Sequence, residues 1–150
     1  MKYEAYEGWL ISENSQVFEF NSIGKFGTIS KKVLFNSTEI PTVYNVAFGD
    51  ITEEGEIDDR SISNNGDRNK ILATLVQIME SYLNKYPERW LYFQGSTKER
   101  TRLYRMAVSL NFKELSKIFE IFVQPDDSMG FVPFANNMNI IAFLIRRKII

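Results

Sequence analysis

One stretch of the sequence joins a turn of small residues to a run of cations, and these residue types bind anions. The apolar segment Trp90–Phe93 leads into the turn residues Gln94, Gly95, Ser96 and Thr97. Four cations follow in the next helical segment: Lys98, Arg100, Arg102 and Arg105. A helix N-terminus presents unbonded amides to an anion, and arginine binds phosphate or carboxylate through paired hydrogen bonds. The sequence therefore predicts an anionic-ligand site formed by Gly95, Ser96, Thr97, Lys98, Arg100, Arg102 and Arg105.

Helical spacing places these four cations on two different faces of the predicted helix. Lys98, Arg102 and Arg105 recur every three or four residues and share one face. Two other residues are predicted on that face: Thr101 and Ser109. Arg100 falls on another side, with residues predicted to face the core: Leu103, Tyr104 and Ala107. An arginine there either pairs with a buried acid or reaches a ligand held above the helix end.

A structural explanation competes with ligand binding for the same residues. Ser96 and Glu99 have the spacing of a capping box, in which the serine hydroxyl accepts a helix amide hydrogen bond and the glutamate returns one. Arg100 and its neighbours could also pair with acids elsewhere and only stabilise the fold. The segment lacks the glycine-rich runs of the Walker loop and of the dinucleotide fingerprint, so neither nucleotide-binding motif is present.

A second chemical cluster is acidic. It contains Asp50, Glu53, Glu54, Glu56, Asp58 and Asp59. Such a cluster can hold Mg²⁺ or Ca²⁺, but an EF-hand loop starting at Asp50 would end on Ser61 where glutamate is required. A solvated hairpin tip is the simpler interpretation. The enzymatic alternative is Mg²⁺-assisted phosphoryl transfer or hydrolysis by Asp50, Asp58, Asp59 and Asp67.

Composition excludes several classes of function. The chain has 150 residues with no cysteine and no histidine, which removes thiol nucleophiles, histidine general bases and the usual zinc ligands. Its net charge of -1 gives no overall attraction to nucleic acid. The acidic N-terminus lacks the apolar run of a signal peptide, and no segment is long enough to span a membrane, so we expect a cytoplasmic protein that does not bind membranes. No catalytic residue, cofactor or metal site is predicted.

The elements that position these residues indicate an α+β fold in one domain, residues 1–150. We expect an antiparallel or mixed sheet of about seven or eight strands packed by two helices, about residues 67–86 and 96–110. The predicted strands are residues 17–20, 28–35, 42–48, 57–62, 90–93, 120–123 and 139–148. The last of them is apolar on both faces, which predicts a position in the interior of the sheet. Turns are predicted at Gly24–Gly27 and Glu53–Glu56. Asp67 is predicted to cap the first helix, Pro87 to end it, and Asn111 to stop the second.

Several motifs together carry a family resemblance. They are Tyr44–Asp50, Gly55–Asp59, Ser63–Asp67, Ile71–Thr74, Phe93–Thr97, Arg100–Tyr104 and Ala142–Lys148. With them the chain resembles a family of short bacterial proteins, chiefly from Bacteroidetes, whose function is unknown. The resemblance begins near the Ser22–Gly27 turn and covers most of the chain. It implies family membership and brings no activity, cofactor or partner with it.

The sequence thus favours a non-enzymatic binding module whose ligand surface is Gly95–Arg105. Its partner would be an anionic small molecule or an acidic protein surface. Nucleic acid is possible as well, although the net charge does not indicate it. Besides the Mg²⁺-dependent enzyme, one more alternative stays open, which is a homo-oligomeric or adaptor protein with no small-molecule ligand. An exposed apolar patch outside the core would indicate that last class.

Overall fold

The computed structural model of the protein describes residues 3–58 and 64–149. Within those ranges the chain forms nine strands and two helices. In chain order they are β1 Leu10–Ile11, β2 Val17–Gly24, β3 Gly27–Ser37, β4 Val43–Ile51, β5 Ile57–Asp58, α1 Arg68–Lys85, β6 Trp90–Phe93, α2 Lys98–Ile118, β7 Phe119–Pro125, β8 Val132–Pro133 and β9 Ile140–Arg147. Strands β4 and β6 pair in parallel, whereas six other pairs are antiparallel: β1–β2, β2–β3, β4–β5, β6–β9, β7–β8 and β7–β9. The predicted α+β class with a mixed sheet is confirmed.

Backbone contacts divide the chain into two compact units. The first is Met1–Asn36 with Val46–Tyr82, and the second is Ser37–Asn45 with Leu83–Ile150. Strand β4 and helix α1 contribute residues to both units. A single domain over residues 1–150 stays a prediction.

The first unit contains the strand order β1-β2-β3-β4, with β5 paired to β4. Strands β2 and β3 form a hairpin in which Gly24 opposes Gly27 across the two-residue turn Lys25–Phe26. Gly27 has a φ of +84°, a conformation that glycine adopts without steric cost. The predicted hairpin turn is confirmed. The predicted tip at Glu53–Glu56 is confirmed as well, whereas residues 59–62 of its returning strand lie outside the described residues.

The core of the first unit forms between one face of the β2–β3 hairpin and α1. Its buried side chains include Tyr6, Phe18, Phe20, Val33, Phe35, Ala73, Ile78 and Tyr82. The rings of Phe35 and Tyr82 stack with centroids 3.8 Å apart, and the Tyr82 hydroxyl donates to Gln16 Oε1 at 2.8 Å. Apolar residues at helical spacing predict α1, and its observed bounds agree with the prediction to one residue at each end.

A buried polar cluster connects three segments of this unit. Tyr6, from the N-terminal segment, donates its hydroxyl hydrogen to Asp67 Oδ2 at the entry to α1. Ser22 Oγ, in β2, donates to the same carboxylate oxygen at 2.6 Å. The amide of Ile23 donates in turn to the Tyr6 hydroxyl at 2.9 Å. One carboxylate therefore holds the N-terminal segment, the hairpin and the start of α1 together.

Asn65 completes the polar cluster from the loop before α1. Its Nδ2 donates to Ser22 Oγ at 3.1 Å and to the Gly27 carbonyl at 3.0 Å, while its Oδ1 accepts from the Phe26 amide at 2.7 Å. A Cβ at Gly24 would lie 1.9 Å from the Asn65 carbonyl oxygen, so the loop packs directly on the hairpin backbone. The side chain of Asn65 thus performs the hydrogen bonding that fixes the hairpin turn.

Asp67 lies immediately before α1, as predicted, but its carboxylate does not cap the helix. Its backbone carbonyl accepts from the Ile71 amide at 2.9 Å, while Oδ2 accepts from Tyr6 and Ser22. Its Oδ1 is buried and has no hydrogen-bond partner among the described residues. The capping prediction was wrong because long-range donors, which local sequence cannot reveal, engage the side chain.

The second unit has the strand order β4-β6-β9-β7-β8, with Val43–Asn45 as its part of β4. Strand β9 pairs with β6 on one side and β7 on the other, which confirms the interior position predicted from its two apolar faces. Helix α2 lies against β7 and β9. Buried side chains in this unit include Leu91, Leu115, Phe119, Ile121, Val123, Phe143 and Ile145.

Helix α2 continues seven residues beyond its predicted stop at Asn111 and ends at Ile118. Asn111 is buried and its Nδ2 donates to the Ala107 carbonyl, one turn earlier, at 2.9 Å. An asparagine that bonds inside the helix no longer competes with it, so the predicted left-handed stop was wrong. Residues 112–118, which follow the predicted stop, are therefore helical.

Removing the Tyr6 hydroxyl should weaken the first unit in a pH-dependent way. We expect Tyr6→Phe to lower the free energy of unfolding by about 1–3 kcal/mol, since Asp67 loses a donor in a buried site. Burial, and then the hydrogen bond to Asp67, raise the pKa of Tyr6 above its usual value. The contribution is therefore complete below the unfolded pKa of about 10 and is lost as the pH rises through the higher folded value.

Urea unfolding of the two proteins between about pH 7 and pH 11 measures this difference. The matched control is Tyr92→Phe, because the Tyr92 hydroxyl has no hydrogen bond within the described residues. A stability difference for Tyr6→Phe that is no larger than for the control, or that grows above pH 10, contradicts the role assigned to this hydroxyl.

Candidate anion-binding site

The predicted strand, turn and helix are all present around the candidate site. Strand β6 ends at Phe93, residues 94–97 form the turn, and α2 begins at Lys98. Thr97 is the N-cap residue: it has extended backbone angles, and its hydroxyl accepts from the Arg100 amide at 3.2 Å. The prediction of Ser96 as the cap was wrong, because the helix starts later than predicted. Arg100 then occupies the position where a capping box has its glutamate, so Glu99 has no such role.

Gly95 contributes close packing to the site and does not offer its amide. A Cβ there would lie 2.4 Å from the Thr101 backbone nitrogen, so the turn approaches the helix more closely than any other residue permits. The Gly95 amide donates to Thr101 Oγ1 at 3.0 Å. Thr101 is 5% exposed and lies on the inner side of α2, which corrects its predicted place on the cationic face.

Arg100 folds back onto the turn. Its backbone amide donates to the Thr97 hydroxyl, and its Nη1 donates to Ser96 Oγ at 3.0 Å. The side chain is half-buried. Ser96 and Arg100 therefore interact with one another within the turn, and the ligand-binding role predicted for both stays a prediction.

The inner side of α2 differs from the one predicted. Its fully buried residues are Thr101, Asn111 and Leu115, whereas Leu103, which was predicted to face the core, is 37% exposed. Tyr104 and Ala107 are half-buried, and the Tyr104 ring meets Phe93 edge to face at 6.2 Å. The true inner side lies about a quarter-turn away because a threonine and an asparagine, not only apolar residues, are buried there.

The remaining cations form one surface, which we call the basic face: Lys98, Arg102 and Arg105. Lys98 and Arg102 are exposed and Arg105 is half-buried. None of the three makes an ion pair or a side-chain hydrogen bond within residues 3–58 and 64–149. The amides of Lys98 and Glu99 likewise have no acceptor in those ranges, as expected for the first helical residues. No ion pair among the described residues therefore gives these three side chains a structural role.

The basic face extends along the helix toward a neighbouring loop. Ser109, predicted on the same face, donates its hydroxyl hydrogen to Asn136 Oδ1 at 2.8 Å. The ring of Phe112, one turn further on, packs against Phe134 with centroids 5.2 Å apart. These contacts fix one border of the face by attaching α2 to residues 134–136.

The acidic cluster has partners of its own in the first unit. Asp50 opposes Asp58 across the β4–β5 pair and forms an ion pair with the buried Lys31. Asp67 accepts from two hydroxyl groups, and Asp59 lies outside the described residues. The described carboxylates include no group of three placed to hold a metal ion. Two of the four carboxylates that the enzymatic alternative requires are therefore engaged in holding the fold.

Sequence reasoning missed a cavity at the entry to α1. It has a volume of about 640 Å³ and an open, polar lining that includes Glu4, Asn64, Asp67, Arg68 and Lys70. Lys70 also lies over the Tyr6 ring, with its Nζ 4.4 Å from the centroid. The Asn-Asn-Gly-Asp segment was the available signal, but it indicated only a turn. Its charges are mixed, so the cavity does not specify one class of ligand.

The fold and the site together describe an α+β protein with a mixed sheet and a basic helix N-terminus. The chain belongs to the family of unknown function DUF6934, whose family model matches residues 2–148. This confirms the resemblance to a family without an assigned activity and extends it over nearly the whole chain. No curated protein and no solved structure matches the chain. Neither described helix combines the length and apolar content that crossing a bilayer requires.

The revised cap makes a direct prediction about stability. We expect Thr97→Ala to lower the free energy of unfolding by about 1 kcal/mol, since the Arg100 amide loses its acceptor. Ser96→Ala, the matched control, should cost less because it removes a side-chain contact at an exposed position. Urea unfolding of both variants gives the comparison. The reverse order would restore Ser96 as the cap.

Proposed function

We propose that this protein is a bacterial cytoplasmic binding module without catalytic activity, which takes an anionic ligand at the Gly95–Arg105 segment. The ligand carries a phosphate group or clustered carboxylates. The observation that carries the proposal is the basic face, where three cations lie in the first turns of α2 without a described acidic partner.

Electrostatics explains why this arrangement favours an anion. The N-terminus of a helix carries a partial positive charge, and a cation beside it costs up to about 1 kcal/mol. Lys98 and Arg102 are solvent-exposed, so their charges are retained. A bound anion would remove the repulsion and accept hydrogen bonds from both the side chains and the helix amides.

Under this proposal, different residues contribute different parts of the binding. Lys98, Arg102 and Arg105 supply charge, and the amides of Lys98 and Glu99 supply oriented donors. The Thr97 hydroxyl accepts from the Arg100 amide and keeps its own hydrogen to donate to an anion. Gly95 and Ser96, both predicted as ligand residues, would contribute by fixing the conformation of the turn. Arg100 would contribute through its hydrogen bond to Ser96 in the same turn.

Titration of ¹⁵N-labelled protein with sodium pyrophosphate, at constant ionic strength, tests the proposal. We expect the amide resonances of Thr97, Lys98 and Glu99 to shift together and to saturate. The double variant Arg102→Gln with Arg105→Gln should bind roughly tenfold more weakly or worse, which corresponds to about 1.4 kcal/mol. Its unfolding midpoint in urea should stay close to that of the unaltered protein, because these side chains have no described partner to lose.

The matched control is Arg68→Gln with Arg147→Gln, which removes the same charge from two exposed arginines outside the site. Equal weakening by both double variants would indicate a non-specific charge effect. Shifts spread over the whole protein, or absent from residues 97–99, would refute a site at the start of α2.

A further inference from the structure

We infer that the ligand of the basic face is an acidic amphipathic helix of a partner protein, which lies along the solvent-facing side of α2. This inference rests on the proposed function, because it uses the same cations. It adds the class of ligand and a second set of contacts. The added contacts come from apolar side chains that α2 exposes next to the basic face.

The apolar part of the surface consists of Leu103, Met106 and Leu110, which we call the apolar strip. These residues are 37%, 45% and 81% exposed, respectively. Their spacing of three and four residues aligns them on one side of α2, over about 10 Å of helix. The same spacing is what a helix-in-groove partner recognises. Their contact with water is unfavourable in proportion to the exposed apolar area, so a partner that covers them gains affinity.

Cations border the apolar strip along one side. Lys98, Arg102, Arg105 and Lys113 follow this border at helical spacing, and Lys117 lies past its C-terminal end. None of them has an ion pair or a side-chain hydrogen bond with the described residues. Two acids, Glu99 and Glu114, also lie on the solvent-facing side of α2. Five cations against two acids leave a net charge of +3 on this surface.

The composition of the surface favours a protein helix over the other anionic partners. Single-stranded nucleic acid requires exposed aromatic rings for base stacking, but the aromatic side chains of α2 pack on Phe93 and Phe134. An anionic lipid surface would meet Glu99 and Glu114 as well as the cations, whereas the acids of a partner helix can be confined to the cationic border. A free phosphate would leave the apolar strip in water. The leucines of a helix can cover the apolar strip, while acids along one border of that helix pair with the cations.

A synthetic 18-residue peptide tests this inference. It carries leucines at helical spacing and glutamates along one border, and a scrambled peptide of identical composition is the first control. Binding to the whole protein is measured by fluorescence anisotropy. We expect the amphipathic peptide to bind at least tenfold more tightly than the scrambled one. Leu110→Gln should reduce its affinity roughly tenfold or more, because the most exposed apolar contact is lost.

Two variants and two other probes separate the outcomes. Ile40→Gln is the matched control for Leu110→Gln, since Ile40 is 58% exposed in the same unit and lies outside α2. Arg102→Gln with Arg105→Gln should also weaken peptide binding. Pyrophosphate and phosphatidylglycerol vesicles are measured in parallel.

Equal binding of both peptides, or an unchanged affinity in Leu110→Gln, overturns the inference. If pyrophosphate binds and neither peptide does, the inference fails while anion binding at the basic face stands. Vesicle binding without peptide binding also overturns the inference, in favour of a lipid surface. If no probe binds, both the inference and the proposed function fail.

Discussion

The Asp67 carboxylate is the interaction on which the first unit depends most. It accepts hydrogen bonds from Tyr6 and Ser22, and these residues belong to segments that are distant in sequence. Asn65 binds the same serine and the hairpin turn. These donors stabilise a half-buried carboxylate, and they thereby favour the folding of the three segments together. The hairpin, the N-terminal segment and the helix entry thus form one cooperative cluster, and α1 is positioned by it.

Helix α2 shows how one element can serve packing and recognition at once. Its inner side buries Thr101, Asn111 and Leu115, and each polar group there has a hydrogen-bond partner within the helix or its turn. Its outer side retains cations and exposed apolar side chains that contribute little to the fold. Side chains that do not stabilise the fold are available for binding, and both proposed contacts use such side chains.

The sequence was most informative where periodicity is long and regular. It predicted α1, the β2–β3 hairpin and the interior position of β9, because each is defined by apolar spacing or by turn residues. It failed where a side chain chooses between local and distant partners: Asp67 binds Tyr6 instead of its helix, and Asn111 bonds within α2 instead of ending it. The two-residue strands β1 and β8 are too short to show any period. At the site, the cationic face of Lys98, Arg102 and Arg105 was predictable from spacing, whereas the cap at Thr97 required the true start of the helix.

The close approach of Gly95 to Thr101 also restricts bending between β6 and α2. With the turn packed against the helix backbone, the amide of Gly95 bound to the Thr101 hydroxyl, and the cap formed at Thr97, the junction between β6 and α2 has little room to act as a hinge. The start of α2 is therefore fixed to the end of β6 by close packing and hydrogen bonds. The proposed ligand would therefore meet a preorganised surface, and little of its binding energy would be spent on reorganisation.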